Sequence, residues 1–321
     1  MPLKTFTPSA PSPSIPGSEP PPDVPLAPPP WTLTAKLYLF VTGAVSANTT
    51  QPPTSVTGLN ASPEVLQGLP LGAYLPLEHI HPSALALIDG KPQYQGGLSK
   101  IVLVRYSASP AGPYDEIILL GTFKDPNTGE ITPRITNIYV STDKSVWNGR
   151  RNWNIPKHRA RFEWTETGPH TSTVKIYHPS DIPGPLSSET PFFSAVVTDS
   201  RLPSIPVNTS LSIFNSATRL VQPPILPGLY PKDSPLAAAA IGTDGGEGGR
   251  DNGWLQTVPV YKGWAKPAYI AGALGEPQSG RKTVVGDGVG FPQYTPWRIG
   301  GCFEGSIDFP ASTEVGKSKT A

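Results

Sequence analysis

Leu98-Ser99-Lys100-Ile101-Val102-Leu103-Val104-Arg105-Tyr106, then Ser109-Pro110-Ala111-Gly112-Pro113, then Glu116-Ile117-Ile118-Leu119-Leu120-Gly121-Thr122-Phe123 follow one another along the chain. Two runs rich in β-branched and aliphatic residues flank a proline and glycine turn, which predicts an antiparallel pair of strands. The pattern repeats outward. Leu33 to Thr42 alternates and favours a strand, and Asp125-Pro126-Asn127-Thr128-Gly129 is a second turn leading into Arg134 to Ser141. Arg159 to Thr165 and Thr171 to Tyr177 pair around Gly168-Pro169. Phe192 to Val197, Leu211 to Phe214, Trp254 to Tyr261 and Cys302 to Phe309 complete the expected strands. One short helix is expected from Lys144 to Trp153, with Thr142 or Asp143 as N-cap and Asn154-Ile155-Pro156 as its exit. No internal repeat is present. The expected class is mainly β (α+β), antiparallel, with a few short helices.

The chain has 321 residues, 15% charged, with a formal net charge of +1. So small a net charge argues against a general nucleic-acid or membrane-surface partner. No apolar run reaches the roughly 18 to 20 residues that span a bilayer. Twelve of the 42 prolines fall in the first thirty positions. Proline lacks an amide donor and fixes φ, so residues 1–30 are expected to form a loose polyproline-like tail. Residues 31–311 are expected to form the β domain, and residues 312–321 a second loose tail. The N-terminus lacks the apolar core of a secretory signal. A cytoplasmic location is expected, and the sequons at Asn48, Asn60 and Asn208 are expected to be unused. Cys302 is the only cysteine, so there is no intrachain disulfide and no cysteine-based metal site.

The chemistry is concentrated in Gly149-Arg150-Arg151-Asn152-Trp153-Asn154-Ile155-Pro156-Lys157-His158. Lys157 sits at the junction between the helix exit and the next strand, where a side chain is aimed from a rigid frame. Desolvation by Trp153 and Ile155, with the charge of Arg150 or Arg151 nearby, would disfavour its ammonium form. A neutral lysine amine is a nucleophile toward ketones and aldehydes. The plain alternative is a solvated basic loop. Glu116 opens the apolar run Ile117-Ile118-Leu119-Leu120, which favours burial and a raised carboxyl pKa over surface exposure. His79-Ile80-His81 alternates so that both imidazoles share a strand face. With Glu78 or Glu116 these could hold zinc, though five histidines in all and Pro82 weigh against a metal. Trp147 and Trp153 read as core or as substrate platforms, and Gly290 to Trp297 reads as packing around a pocket. The glycines from Gly242 to Gly249 lack the strand, helix and lysine of a phosphate-binding loop, and read as a surface loop.

Taken together, Gly112-Pro113-Tyr114-Asp115-Glu116, Arg134-Ile135-Thr136-Asn137-Ile138-Tyr139-Val140, Gly149-Arg150 and Pro156-Lys157 resemble the acetoacetate decarboxylase-like superfamily. The resemblance is good over residues 97–178 and loose in the flanking strands. It implies a β cone or double barrel around an apolar pocket, with Lys157 as the Schiff-base residue and Glu116 as the group that positions water or relays protons. It places Arg150 on the substrate carboxylate or bracing the pocket, with His158, Tyr114 and Trp153 beside the substrate. It also implies no cofactor and no metal, a small-molecule oxo compound as partner, and assembly as a homo-oligomer. Two departures stand out. The family's decarboxylases carry a second lysine after the reactive one, where this chain has His158. Where they carry a further acidic residue, this chain reads Lys100-Ile101-Val102. Schiff-base chemistry is thus expected more firmly than decarboxylation, with retro-aldol cleavage or dehydration as other outcomes. A non-catalytic protein binding a hydrophobic metabolite on the same fold, and an interaction protein recruited through its proline-rich head, are the competing expectations.

Overall fold

Ile117, Ile118, Leu119 and Leu120 form an unbroken apolar run because both faces of their strand are covered. The computed structural model describes residues 19–42, 62–180, 182, 186, 188–231, 233–243, 253–274 and 284–315. Strands β1 (Trp31–Val41), β2 (Lys100–Ala108), β3 (Tyr114–Lys124), β4 (Ile131–Val140), β5 (Lys157–Arg159), β6 (Arg161–Gly168), β7 (Thr171–Tyr177), β8 (Phe193–Asp199) and β9 (Ile205–Asn208) come first. They are followed by β10 (Leu220–Gln222), β11 (Leu255–Thr257), β12 (Val260–Gly272), β13 (Ile299–Phe309) and β14 (Thr313–Glu314). The helices are α1 (Pro63–Gln67), α2 (Pro82–Leu85), α3 (Asp143–Trp153) and α4 (Asn215–Thr218). The main sheet runs β5-β4-β3-β2-β1-β13-β12-β8-β7-β6, with β9 also on β12, while β10, β11 and β14 form a small second sheet. The class is mainly β, as the sequence predicts.

Alternation sorts the side chains into two cores. Tyr38, Phe40, Ile101, Leu103, Ile117 and Leu119 pack on one face with Phe193, Val197 and Ile270. Leu33, Val102, Val104, Ile138, Val140 and Ile307 pack on the other with α3. A bulge in β4 shifts register between Leu119 and Leu120 and inserts Thr136, so that Ile135 and Ile138 both reach the second face despite their spacing of three.

The strand expected from Trp254 to Tyr261 is broken before Pro259 into β11, in the small sheet, and β12, in the main sheet, which continues through Pro267. Its partner on that side is β9 over Lys262–Ala265 and β8 over Ala268–Gly272. Pro267 falls between the two, at a point where its missing amide costs no ladder bond. Leu211 to Phe214 is not a strand: it forms a 3-10 turn leading into α4, with Leu211 and Ile213 exposed. Alternation over four residues does not distinguish the two without a strand partner.

Two expected boundaries also move. Within residues 19–30, Val24 and Ala27 are buried. Asn148 of α3 accepts from the Ala27 amide at 2.8 Å and donates to the Pro25 carbonyl at 3.0 Å, and Asn152 donates to the Ala27 carbonyl at 2.9 Å. This proline-rich run packs because α3 side chains satisfy the backbone groups that proline spacing leaves unpaired. At the other end, Ser312 donates to the Asn152 carbonyl at 2.7 Å and β14 pairs with β11. The readings of residues 1–18, of most of the glycine-rich loop, of Asn48 and Asn60, and of residues 316–321 lie outside the described residues. No helix among the described residues is long and apolar enough to cross a membrane.

Candidate active site

The β4–α3–β5 crossover brings Lys157 into the sheet. Thr142 caps α3 by accepting from the Ser145 amide, and Asn154 ends it in the left-handed conformation at φ 54°. The turn then lays β5 parallel to β4, with Lys157 opposite Ile138. Because Ile118 pairs with Ile138 and Glu116 with Val140, the side chains of Lys157 and Glu116 emerge on the same face. Lys157 Nζ lies 2.7 Å from Glu116 Oε2 and 3.0 Å from Ser145 Oγ. The Tyr106 hydroxyl donates to Glu116 Oε1 at 2.9 Å, and the Nζ sits 5.2 Å from the Tyr114 ring centroid. Ser145 and Gly149, four apart on α3, share one helix face, and only small residues there leave room for the lysine stem.

This group forms the polar corner of a cavity of about 350 Å³. Its walls are mostly apolar, with Leu33, Leu37, Leu39, Val102, Ile118 and Ile138 among them, and Trp31, Trp153 and Tyr261 also line it. Trp153 is braced edge-on by Trp31 at 5.1 Å and Phe309 at 4.9 Å, and its indole donates to the Pro310 carbonyl. Such a chamber has the make-up of a small-molecule site: mostly apolar, with a few convergent polar groups.

The electrostatics correct one expectation. Burial alone pulls the Lys157 ammonium below the ordinary lysine value, as predicted. Glu116, by its charge and its hydrogen bond, together with Tyr114, outweighs burial and holds Lys157 above that value. The ligand-free site is therefore an ammonium–carboxylate pair rather than a free amine. Burial pushes Tyr114 and Tyr261 up to about 12 and raises Tyr106 further, so all three stay protonated donors.

Arg150 and His158 do not line the cavity, so His158 is not beside the substrate, and of the two places expected for Arg150 the structure fits the bracing one. Neighbouring strand residues point to opposite faces, so Lys157 faces the cavity and His158 faces away. Arg150 is fully buried and binds Glu78 Oε2 at 2.6 Å and the carbonyls of Ile241 and Leu226 at 2.7 Å each. His158 Nε2 meets the same Glu78 oxygen at 2.6 Å, and its Nδ1 meets the Tyr230 hydroxyl at 2.7 Å. Burial, with help from Arg150, lowers His158 and keeps it neutral. Glu78 is held below the ordinary carboxylate range by Arg150 and His158 in spite of burial. With Glu78 ionised, the tautomer follows: Nε2–H donates to Glu78, and Nδ1 accepts from Tyr230. Arg150 is paired with Glu78, and the groups that shift Lys157 are Glu116 and Tyr114.

His79 is exposed and His81 caps α2, so the two imidazoles share no site with Glu78 or Glu116. Asp199, Cys302 and Glu304 cluster elsewhere, but Lys36 and Lys266 hold Asp199 at 2.7 and 3.2 Å.

The arrangement of the sheet also occurs in solved structures. Acetoacetate decarboxylase from Legionella pneumophila superposes with a TM-score of 0.50 at 11% identity, over 90% of this chain and 88% of that one. The chain has the acetoacetate decarboxylase-like fold. An acetoacetate decarboxylase-like enzyme from Sphingomonas wittichii RW1 matches with a TM-score of 0.48 at 11% identity, over 90% and 94% of the two chains. No protein-family model matches the chain, and no curated protein matches it in sequence.

Of the residues that the sequence singles out, Lys157, Glu116, Tyr114 and Trp153 line the cavity. Ser145, Tyr106, Tyr261 and Lys100 were not foreseen. Tyr106 had a readable signal, since Val102, Val104 and Tyr106 share one parity and face the same side. Ser145 had one too, four residues before Gly149. Tyr261 and Lys100 depend on strand registers that the sequence does not set.

Proposed function

We propose that this protein is an enzyme that forms a Schiff base between Lys157 and a ketone or aldehyde. One observation carries the reading: a buried lysine amine in an apolar chamber, 2.7 Å from a carboxylate that can take its proton. The ammonium hands a proton to Glu116, and the freed amine adds to the substrate carbonyl carbon. The resulting carbinolamine loses its hydroxyl as water, with the proton returned by Glu116, and leaves an iminium. That cation accepts the electron pair of a bond β to nitrogen, giving an enamine. The bond broken releases CO2, an aldehyde or a proton. Glu116, hydrogen-bonded by Tyr106, is reprotonated by the proton that aldehyde release or deprotonation frees or, after loss of CO2, by one from solvent; it then protonates the enamine carbon, and water hydrolyses the iminium to regenerate the amine. An apolar surrounding favours the first proton transfer, because it costs an ion pair less to neutralise there than in water.

The test is borohydride trapping. Incubation with oxo acids and ketones, followed by reduction, should leave a secondary amine on Lys157 that peptide mass spectrometry locates, and Lys157→Met should abolish it. Absence of an adduct with every carbonyl compound tried would overturn the reading. The second reading, a protein that only binds a hydrophobic metabolite, is favoured by the ammonium–carboxylate pair of the ligand-free site. It predicts tight binding with no adduct.

A further inference from the structure

The cavity has a second cation at its other end. Lys100 opens β2 and lines the chamber half-buried. The β2–β3 register puts Lys100 opposite Leu120 and Val104 opposite Glu116, a separation of four residues along the strands. At about 3.3 Å per residue this is about 13 Å of sheet between the backbone of Lys100 and the level of Glu116. The wall between them is apolar, built from Val102, Ile118, Leu120 and Leu39.

The two cations differ in one respect. Lys157 is already matched by Glu116 at 2.7 Å, whereas no carboxylate among the described residues pairs with Lys100. A ligand carboxylate placed at Lys157 would put two anions against one ammonium in a low-dielectric corner, where like charges repel strongly. The same carboxylate at Lys100 meets an unmatched charge and leaves the Lys157–Glu116 pair undisturbed. We propose that Lys100 anchors the carboxylate of an elongated aliphatic oxo acid whose carbonyl, several methylenes away, meets Lys157. The carbonyl end of this assignment rests on the Schiff-base reading; the carboxylate end does not. The substrate class is a medium-chain acid with a remote ketone or aldehyde, not a short 3-oxo acid.

The test separates the two ends. Calorimetry on the full chain with decanoate and with decanol measures the carboxylate preference without any carbonyl chemistry. Decanoate should bind about tenfold more tightly, the scale of one charge-assisted hydrogen bond. Lys100→Met should remove that preference while leaving decanol binding and the melting temperature unchanged. Lys100→Arg should keep it, as should Lys157→Met and the exposed-site control Lys175→Met. Equal binding of the two ligands, binding of neither, or a preference that survives Lys100→Met overturns the anchor. Decanoate bearing a ketone at the end remote from its carboxylate is then trapped with borohydride. The adduct on Lys157 should form in the wild type and fall about tenfold in Lys100→Met at sub-saturating ligand. Unchanged trapping in Lys100→Met overturns the anchor and leaves the Schiff base standing. An intact carboxylate preference with no adduct overturns the Schiff base and leaves the anchor standing.

Discussion

The side chain of Lys157 crosses α3 at Gly149: a Cβ built on that glycine would lie 2.6 Å from Lys157 Cδ and 2.9 Å from Cε. Gly149 is helical, so its role here is space rather than backbone freedom, and it decides where the amine points. Gly149→Ala should drive the lysine stem off Glu116 at a cost of about 1–3 kcal/mol in stability. Borohydride trapping should fall at least about tenfold alongside the shift in the denaturation midpoint. Full trapping in this variant would show that the amine position does not depend on the glycine.

Against burial, Glu116 is the largest influence that raises Lys157, ahead of Tyr114, so Glu116→Gln should lower it. The pH profile of trapping should then move to lower pH by one unit or more, with a larger neutral fraction at pH 7. Product formation, which needs the carboxyl as a proton carrier, should drop about 100-fold or more. A trapping profile that stays in place would separate the two residues functionally.

The same pair gives the native state a dependence on alkaline pH. The folded-state value of Lys157 lies above its unfolded value of about 10.4. Its contribution to stability is therefore intact below that pH and is lost as pH rises through the folded value. Urea unfolding of wild type and Lys157→Met between about pH 9 and 11 should converge as pH rises. Parallel curves would show that the ion pair contributes nothing.

His178 sets an acid limit. Burial lowers it to about 4, and neither ring nitrogen has a hydrogen-bond partner among the described residues. Between about pH 6.5 and 4 the unfolded chain binds a proton that the folded chain does not, so stability falls with falling pH by about 3 kcal/mol. His178→Leu should flatten that part of the stability–pH curve. An unchanged slope would assign the acid transition elsewhere.

Arg150 and Glu78 act behind the site, not in it. Removing one charge by Arg150→Met leaves the other buried and unmatched, at a cost of about 3–5 kcal/mol. Adding Glu78→Gln to that variant should recover most of the loss, which a double-mutant cycle measures. Decanoate affinity of the double variant should match the wild type. A selective loss of affinity would return Arg150 to the substrate.

The strands around the Ser109–Pro113 turn and a helix from Lys144 to Trp153, capped by Thr142 or Asp143, could be read in the sequence, and the family resemblance pointed to Lys157 and Glu116. Each depends on local preference or on short motifs in order: alternation, a proline that ends a helix, a glycine before arginine. The sequence likewise showed that burial works against the Lys157 charge. It did not show that Glu116 would reverse the balance, because the outcome turns on a 2.7 Å distance set by the register of three strands. Register also decided that His158 and Arg150 face Glu78 and away from the cavity, and that Lys100 faces into it. Local pattern names the residue types a site needs, while which side chains share a face and which charges meet depends on long-range pairing that no local propensity encodes.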